Sequence, residues 1–256
     1  MKNKIRSIAS RGVAALTGRL DSRKLADIVY GLAYSICRNR SANSSLLFLL
    51  ELERQLFLLT GAESCRYGDG LHSKHRHTRY HDFFTSQLCA RETVLDIGCG
   101  NGSLAYDMAC VGANVVAIDL NRDSIHTAQQ NFAHPNIEYI HGDALRDLPD
   151  RGFHTVVMSN VLEHIEFRVE FLMKIQVMVS PKRYLIRVPL YERDWRVPLM
   201  EELGVDYRLD ATHFIEYKNG QFSEEMGKAG LQVVHMDHVW GEIWSEVQST
   251  KPTENQ

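Results

Sequence analysis

The sequence predicts an open α/β fold on a mostly parallel sheet, and three observations carry that prediction. Residues 93–102 read Thr-Val-Leu-Asp-Ile-Gly-Cys-Gly-Asn-Gly, a short β-type run followed by glycines at alternate positions. A helical pattern starts at once with Ser103-Leu104-Ala105, and further β-type runs alternate with helical stripes through the central region. Strands alternating with helices imply parallel pairing through right-handed crossovers. At 256 residues the chain suits one large domain, or a domain with an extension.

Residues 1–20 carry Lys2, Lys4, Arg6, Arg11 and Arg19, with no acid before Asp21 and no continuous apolar core of signal-peptide kind. Three readings stay open: a basic tail, a membrane-surface amphipathic segment or an organelle transit peptide. Leu25, Ile28, Val29, Leu32, Ala33 and Ile36 share one face of a helix over 24–36. Residues 46–59 are greasier, but Glu51, Glu53, Arg54 and Gln55 interrupt them, and the run is too short to span a bilayer. It reads as a helix packed on the core or on a partner subunit; peripheral membrane contact through this region is the other reading. The polar, glycine-dotted stretch 61–74 separates a helical extension, 1–70, from a main domain, 71–248.

His72, His75, His77 and His81 then crowd together. A metal site is not expected, because no Cys or carboxylate pattern of a known metal motif completes the set. The segment reads as a loop running into a helix, lying over the mouth of the site that follows. Strand one ends at the glycine turn. Leu104, Ala105, Met108 and Ala109 form a buried helical stripe. Strand two is Asn114 to Asp119, and Ile125, Ala128 and Phe132 make the next stripe. Strand three begins at Ile137 and leads into Gly142-Asp143-Ala144; strand four runs from Phe153 to Ser159. Phe167, Phe171, Ile175 and Met178 form a third stripe, and strand five is Tyr184 to Val188. Residues 189–219 break the pattern with irregular, aromatic and charged sequence, which in a compact domain is usually functional. They are read as a substrate lid. A helix over 221–229 and two close strands, Leu231 to Met236 and Glu242 to Val247, complete the domain. Trp240 and Trp244 read as packing residues, and residues 249–256 as a disordered tail.

The glycine turn at a strand end is a nucleotide-sized site. Glycine lets the backbone turn tightly and a ligand approach closely, and the helix N-terminus offers free N–H groups. A dinucleotide fingerprint would need a third glycine where Ser103 stands. No Walker lysine follows these glycines, as a ligand without phosphates would allow. Asp96, Asp119 and Asp143 end or follow three successive strands. Carboxylates there accept from an ammonium, a diol or an exocyclic amine.

These motifs, with Asn160-Val161-Leu162-Glu163-His164-Ile165 after strand four, resemble those of class I S-adenosylmethionine (SAM) methyltransferases. The last run is similar to that of small-molecule enzymes of the ubiquinone-pathway type. The likeness covers roughly 75–248. It implies a Rossmann-like seven-stranded mostly parallel sheet with the last strand antiparallel, helices on both faces, and an N-terminal helical extension. It also implies a cofactor site of Asp96, Gly98, Cys99, Gly100, Asn101, Gly102, Asp119, Leu120, Asp143, Ala144, Asn160 and Val161. Arg79 and Tyr80, just before the first motif, are expected near the SAM tail or the acceptor. Cys99 reads as a small apolar filler rather than a nucleophile.

The implied activity is transfer of the sulfonium methyl to an O or N, less readily a C, of a small-molecule, lipid or sugar-derived acceptor. A histidine is the usual base near operating pH, and the candidates are His164 and His213. A net charge of −3 argues against a nucleic-acid partner. The lack of an Asn-Pro-Pro-Tyr-type tetrapeptide after strand four disfavours amide-nitrogen and nucleobase methylation of that kind. Protein or RNA methylation, a catalytically silent SAM-binding protein and a dehydrogenase are the alternatives. Five cysteines without a Cys-x-x-Cys read as reduced thiols of a cytoplasmic protein.

Overall fold

The structure is a computed structural model in which residues 20–250 are described. The readings made for residues 1–19 and for the tail 251–256 lie outside the described residues. Contacts divide the chain into two compact units. Of the described residues, one comprises those up to Thr60 with Leu203–Val205, the other Gly61–Glu202 and those from Asp206 on.

The first unit holds α1 (Ser22–Arg38), whose first turn is capped by the Asp21 carboxylate accepting from the Arg23 N–H. It also holds most of α2 (Ala42–Tyr67). That helix runs through Gly61 into the stretch read as a boundary. One interior glycine costs a helix only about 1 kcal/mol relative to alanine, and strong helix formers surround it.

The second unit begins with two short helices, α3 (Ser73–Thr78) and α4 (Tyr80–Thr85), joined by Arg79 at a left-handed φ of 50°. The histidine-rich stretch is therefore helical on both sides of a kink rather than a loop entering one helix. Next come β1 (Thr93–Ile97), α5 (Ser103–Cys110), β2 (Asn114–Asp119), α6 (Arg122–Asn131), β3 (Ile137–His141), β4 (Thr155–Ser159), α7 (Arg168–Val179) and β5 (Arg183–Pro189). After β5 follow α8 (Arg196–Glu202), α9 (Gln221–Lys228), β6 (Leu231–Val239) and β7 (Glu242–Ser249). The strands form one seven-stranded sheet of order β3-β2-β1-β4-β5-β7-β6, with β7 antiparallel to both neighbours and the other pairs parallel.

Two apolar cores cover the two faces, and strand alternation assigns residues to them. Leu95, Ile97, Val116 and Ile118 enter one core; Val94, Val115 and Ala117 enter the other. A strand buried on both faces reads as a continuous apolar run, so Asp96 in the middle of β1 stands out. The chain moves outward from β1 to β2 and β3, then returns to β4 beside β1. Open α/β sheets bind ligands at such a reversal, outside the carboxyl ends of the strands.

Several expectations are corrected in detail. The stretch 189–219 is not wholly irregular. It contains a 3-10 turn at Tyr191–Arg193 and α8, with Pro198 in the first turn, where a missing N–H costs nothing. Phe167 precedes α7 and is 67 % exposed, so the core stripe of that helix is Phe171, Leu172, Ile175 and Val179. Trp244 is buried, but Trp240 occupies the β6–β7 turn at a φ of 46° and is exposed rather than packed. Ser249 ends β7 and the Thr250 N–H donates to the Gly230 carbonyl, so the strand reaches into the expected tail.

Candidate active site

Three glycines at positive φ bend the chain from β1 into α5: Gly98, Gly100 and Gly102. Two are needed for space as well. A Cβ on Gly98 would lie 2.7 Å from Val161 Cγ2, across the β1–β4 crevice. A Cβ on Gly102 would meet the Tyr139 hydroxyl at 2.6 Å. Gly100 faces open space. Beneath this turn, Asp96 is 1 % exposed and its Oδ2 has no hydrogen-bond partner within the protein. Burial, with the charge of Asp119 adding to it, pushes its pKa up to about 8. An unpaired buried carboxyl is costly, and a cationic group entering the crevice would relieve it.

Asp119 accepts from the Gly100 N–H at 2.8 Å through Oδ2 and from the Asn121 N–H at 2.7 Å through Oδ1. It therefore braces the glycine turn and still lines a cavity. Asp143 accepts from the Leu145 N–H at 2.8 Å. Asp119, the exposed Leu120, Asp143 and Ala144 share one cavity of about 570 Å³ with Gly98, Asn160, Val161 and His164. A second cavity of about 220 Å³ holds Asp96, Cys99, Gly100, Asn101, Asn160, Tyr80, His75 and Arg187. Gly98 and Asn160 line both. Asn160 takes a left-handed φ of 58° as the chain leaves β4. Arg79 lies farther out, exposed and paired with Asp82 at 2.8 Å, on a third cavity shared with Tyr80, Asn101 and Ser103. The Cys99 thiol is buried, and burial raises its pKa well above the ordinary range. That suits a filler.

The wall beside Asp96 is an ion network. Arg187 of β5 donates twice to Glu242 of β7, both bonds 2.7 Å, and Lys74 of α3 reaches the same carboxylate at 2.7 Å. The Arg187 guanidinium stacks 4.0 Å from the centre of the Tyr80 ring and reaches Ser159 Oγ at 3.3 Å. Burial alone would raise the Glu242 pKa; the bonds and charge of Arg187, with Lys74, hold it at about 2 instead. Burial, then the Arg187 charge, lowers His75 to about 4, so its ring is neutral beside the guanidinium. Sequence reading missed this network. Its signal was a charged residue inside the apolar run of strand five.

A second polar group lies where β4 meets the stretch 189–219. His164 Nδ1 is 2.9 Å from Thr212 Oγ1, and that hydroxyl donates to Asp210 Oδ1 at 2.7 Å. A hydroxyl has one proton to give. With it committed to Asp210, Oγ1 accepts from His164, so Nδ1 carries the ring proton and Nε2 keeps its lone pair. Burial, then the neighbouring His213, lowers the His164 pKa. The rings of His164 and His213 meet edge-on with centroids 4.7 Å apart. His213 is buried, with Nδ1 3.2 Å from Glu216 Oε1. Glu163 is fully buried, neither carboxylate oxygen has a partner, and burial pushes its pKa up to about 8. Among the described residues, Glu163, His164 and His213 bring potential ligand atoms within 4.8 Å of one another, an arrangement able to hold a metal ion. The histidine cluster at 72–81 is not that group. Thr212 and Asp210 were given no role in the sequence, because only folding brings them to His164, and Glu163 stood in the quoted run without one.

The seven-stranded order with antiparallel β7 and the glycine turn at the β1–β4 reversal are what the resemblance to class I SAM-dependent methyltransferases implies. Residues 94–182 match the family described as methyltransferase domain. The chain is 36 % identical over 91 residues to an uncharacterized methyltransferase of Mycobacterium tuberculosis, covering 35 % of this chain and 46 % of that one. It is 35 % identical over 115 residues to the mitochondrial ubiquinone biosynthesis O-methyltransferase of Schizosaccharomyces pombe, covering 41 % and 42 %. The corresponding enzyme of Cupriavidus pinatubonensis is 30 % identical over 159 residues, with 57 % and 63 % covered. The chain thus spans less than two thirds of the length of these relatives. Among solved structures, magnesium protoporphyrin IX methyltransferase from Synechocystis PCC 6803 with bound SAH shares the fold at a TM-score of 0.55 and 20 % identity. That match covers 78 % of this chain and 99 % of that one. No described helix is long and apolar enough to cross a membrane.

Proposed function

We propose that this protein transfers the methyl group of SAM to a hydroxyl oxygen of a small-molecule acceptor, with His164 as proton acceptor. The likeness to ubiquinone biosynthesis O-methyltransferases supports oxygen as the target. The observation that carries the reading is the Asp210–Thr212–His164 chain, which fixes a bare Nε2 on a ring lining the cavity of about 570 Å³.

SAM supplies an activated methyl on sulfur, so the remaining work is positioning, exclusion of water and removal of the acceptor proton. The orphaned Asp96 carboxylate fits the ammonium of the amino-acid tail. The glycine turn admits that tail without a Cβ in the way, and Asp119 and Asp143 suit the ribose and adenine. Val161 packs against Gly98 and walls the crevice. His164 takes the acceptor proton at Nε2, and Asp210 stabilises the charge that then forms on the ring through Thr212.

The test is transfer of label from SAM to a panel of phenolic and aliphatic alcohols. His164→Ala should reduce kcat by about 10²–10⁴-fold with SAH affinity unchanged, and Thr212→Val should reduce it less. Because burial lowers the His164 pKa, the acid limb of the rate profile should turn below the ordinary histidine value of about 6.5. Unchanged kcat in His164→Ala would remove the base. A second reading rests on the unpartnered Glu163: a divalent cation held by Glu163, His164 and His213 that lowers the acceptor's pKa instead. Loss of turnover in chelator, restored by metal, with SAH binding intact, selects it.

A further inference from the structure

A ligand tail that reaches Asp96 must pass other side chains, because that residue is only 1 % exposed. Its cavity of about 220 Å³ shares walls with two others. Gly98 and Asn160 line both it and the cavity of about 570 Å³. That side is pinched: a Cβ on Gly98 would stand 2.7 Å from Val161 Cγ2. The other neighbour is a cavity of about 620 Å³ lined by residues of α3 and α4. His75 and Tyr80 line both that outer cavity and the Asp96 cavity, so they stand between the two. Their rings meet edge-on, with centroids 4.8 Å apart.

Arg187 holds both rings. Its guanidinium lies 4.0 Å from the centre of the Tyr80 ring and donates to His75 Nε2 at 3.3 Å. Glu242 fixes Arg187 in turn, and Lys74 reaches that carboxylate at 2.7 Å. Lys74, His75 and Tyr80 belong to α3 and α4, whereas Arg187 and Glu242 belong to the sheet. These contacts therefore hold two short helices against β5 and β7. Positive φ brackets α3, at 98° for Gly70 and 50° for Arg79. A few such positions at the ends of an element can absorb the backbone change when it swings. Cation–π contacts and ion pairs of partly exposed side chains are weak enough to break and re-form as a ligand enters.

We propose that His75 and Tyr80 form a gate through which the amino-acid tail of SAM enters the Asp96 cavity, and that Lys74 is a positioning residue that latches this gate through Glu242 and Arg187. This rests on SAM as the ligand of that crevice. Lys74 lines none of the three cavities, so it acts on binding through the time α3 spends closed. The latch is the same with and without ligand, so its loss speeds entry and exit alike.

The experiment is stopped-flow binding of SAH and of methylthioadenosine, which keeps the adenosine and the sulfur but lacks the amino-acid tail. Lys74→Met should raise both the association and the dissociation rate of SAH about fivefold, with the affinity changed less than about twofold. The rates for methylthioadenosine should not change, because it has no tail to pass the gate. Lys74→Arg restores the charge and should return the parent's rates. His75→Ala removes one ring of the gate and should also speed SAH both ways, so it carries the test if Lys74→Met does not fold. SAH rates unchanged in both variants would put the entry on the Gly98–Val161 side and overturn the gate. Equal acceleration of SAH and methylthioadenosine would report a general loosening and overturn it too. If the parent bound neither ligand, the cofactor reading would fail and the gate with it.

Discussion

Replacing Asp96 with Asn tests whether the carboxyl under the glycine turn is held for a cationic ligand. In the ligand-free fold its pKa stands at about 8 against an ordinary 3.8. The folded protein therefore holds this proton more tightly than the unfolded chain. The stability linked to that proton is complete below 3.8 and drains away as pH rises toward 8. At 1.36 kcal/mol per pH unit, full ionisation costs about 6 kcal/mol as an upper bound. Water entering the adjoining cavity lowers that, and roughly 2–4 kcal/mol is expected in practice. Asn keeps the shape and removes the charge. In urea unfolding without ligand, Asp96→Asn should match the parent near about pH 3 and exceed it by about that amount near pH 9. Binding should change the other way. A buried carboxylate that loses a charge-assisted bond to an ammonium should cost SAH roughly 100-fold in affinity. In the parent, binding should release a proton near neutrality, read as calorimetric heats that depend on the buffer's ionisation enthalpy. An Asn variant that is less stable at high pH, or that binds SAH as tightly as the parent, would refute the argument.

Gly98→Ala and Gly100→Ala should separate space from backbone strain. Both require positive φ, but only Gly98 has a neighbour within 4 Å of the new Cβ. Gly98→Ala should therefore lose about 2–3 kcal/mol and SAH binding, and Gly100→Ala about 1 kcal/mol, by urea unfolding and calorimetry. Arg187→Met leaves the buried Glu242 with Lys74 and Trp244 alone, and should cost about 3 kcal/mol near neutral pH. Glu242 is depressed in the fold to about 2, so its stability is present above 4.5 and lost as pH falls through 2. The Arg187→Met deficit should accordingly shrink in acid unfolding, and a deficit independent of pH would disconnect it from that carboxylate. Cys99 should resist a thiol reagent that labels the exposed Cys89 and Cys110 at ordinary rates. Mass spectrometry of the labelled peptides reads the order.

Much of the candidate site was legible because its residues are close in sequence and their types are forced. Only glycine tolerates the turn at 98–102, and an acid closing an apolar strand such as Asp96 or Asp119 has few structural uses. The element order carried the sheet for the same reason: each strand and its following helix bury their apolar faces against each other. What escaped was whatever depends on distant partners. Trp240 and Phe167 fit packing patterns along the chain, yet each falls at an element end where it stays mostly exposed. The helix α8 escaped because it is short and its first turn holds Pro198, a residue that no helix interior accepts.

The chain by itself determined the parallel α/β order, the glycine turn at the end of β1 and the three acids at or just after the ends of the first three strands. These rest on local sterics and on periodicity, which neighbours along the chain decide. Tertiary structure alone decided that Asp96 is buried without a partner and that Glu242 and Lys74 close on Arg187. It also decided that Asp210 and Thr212 fix the proton of a histidine some 50 positions away. Burial and charge pairing are properties of space rather than of spacing, and they assign the chemistry of each group only once the sheet has brought them together.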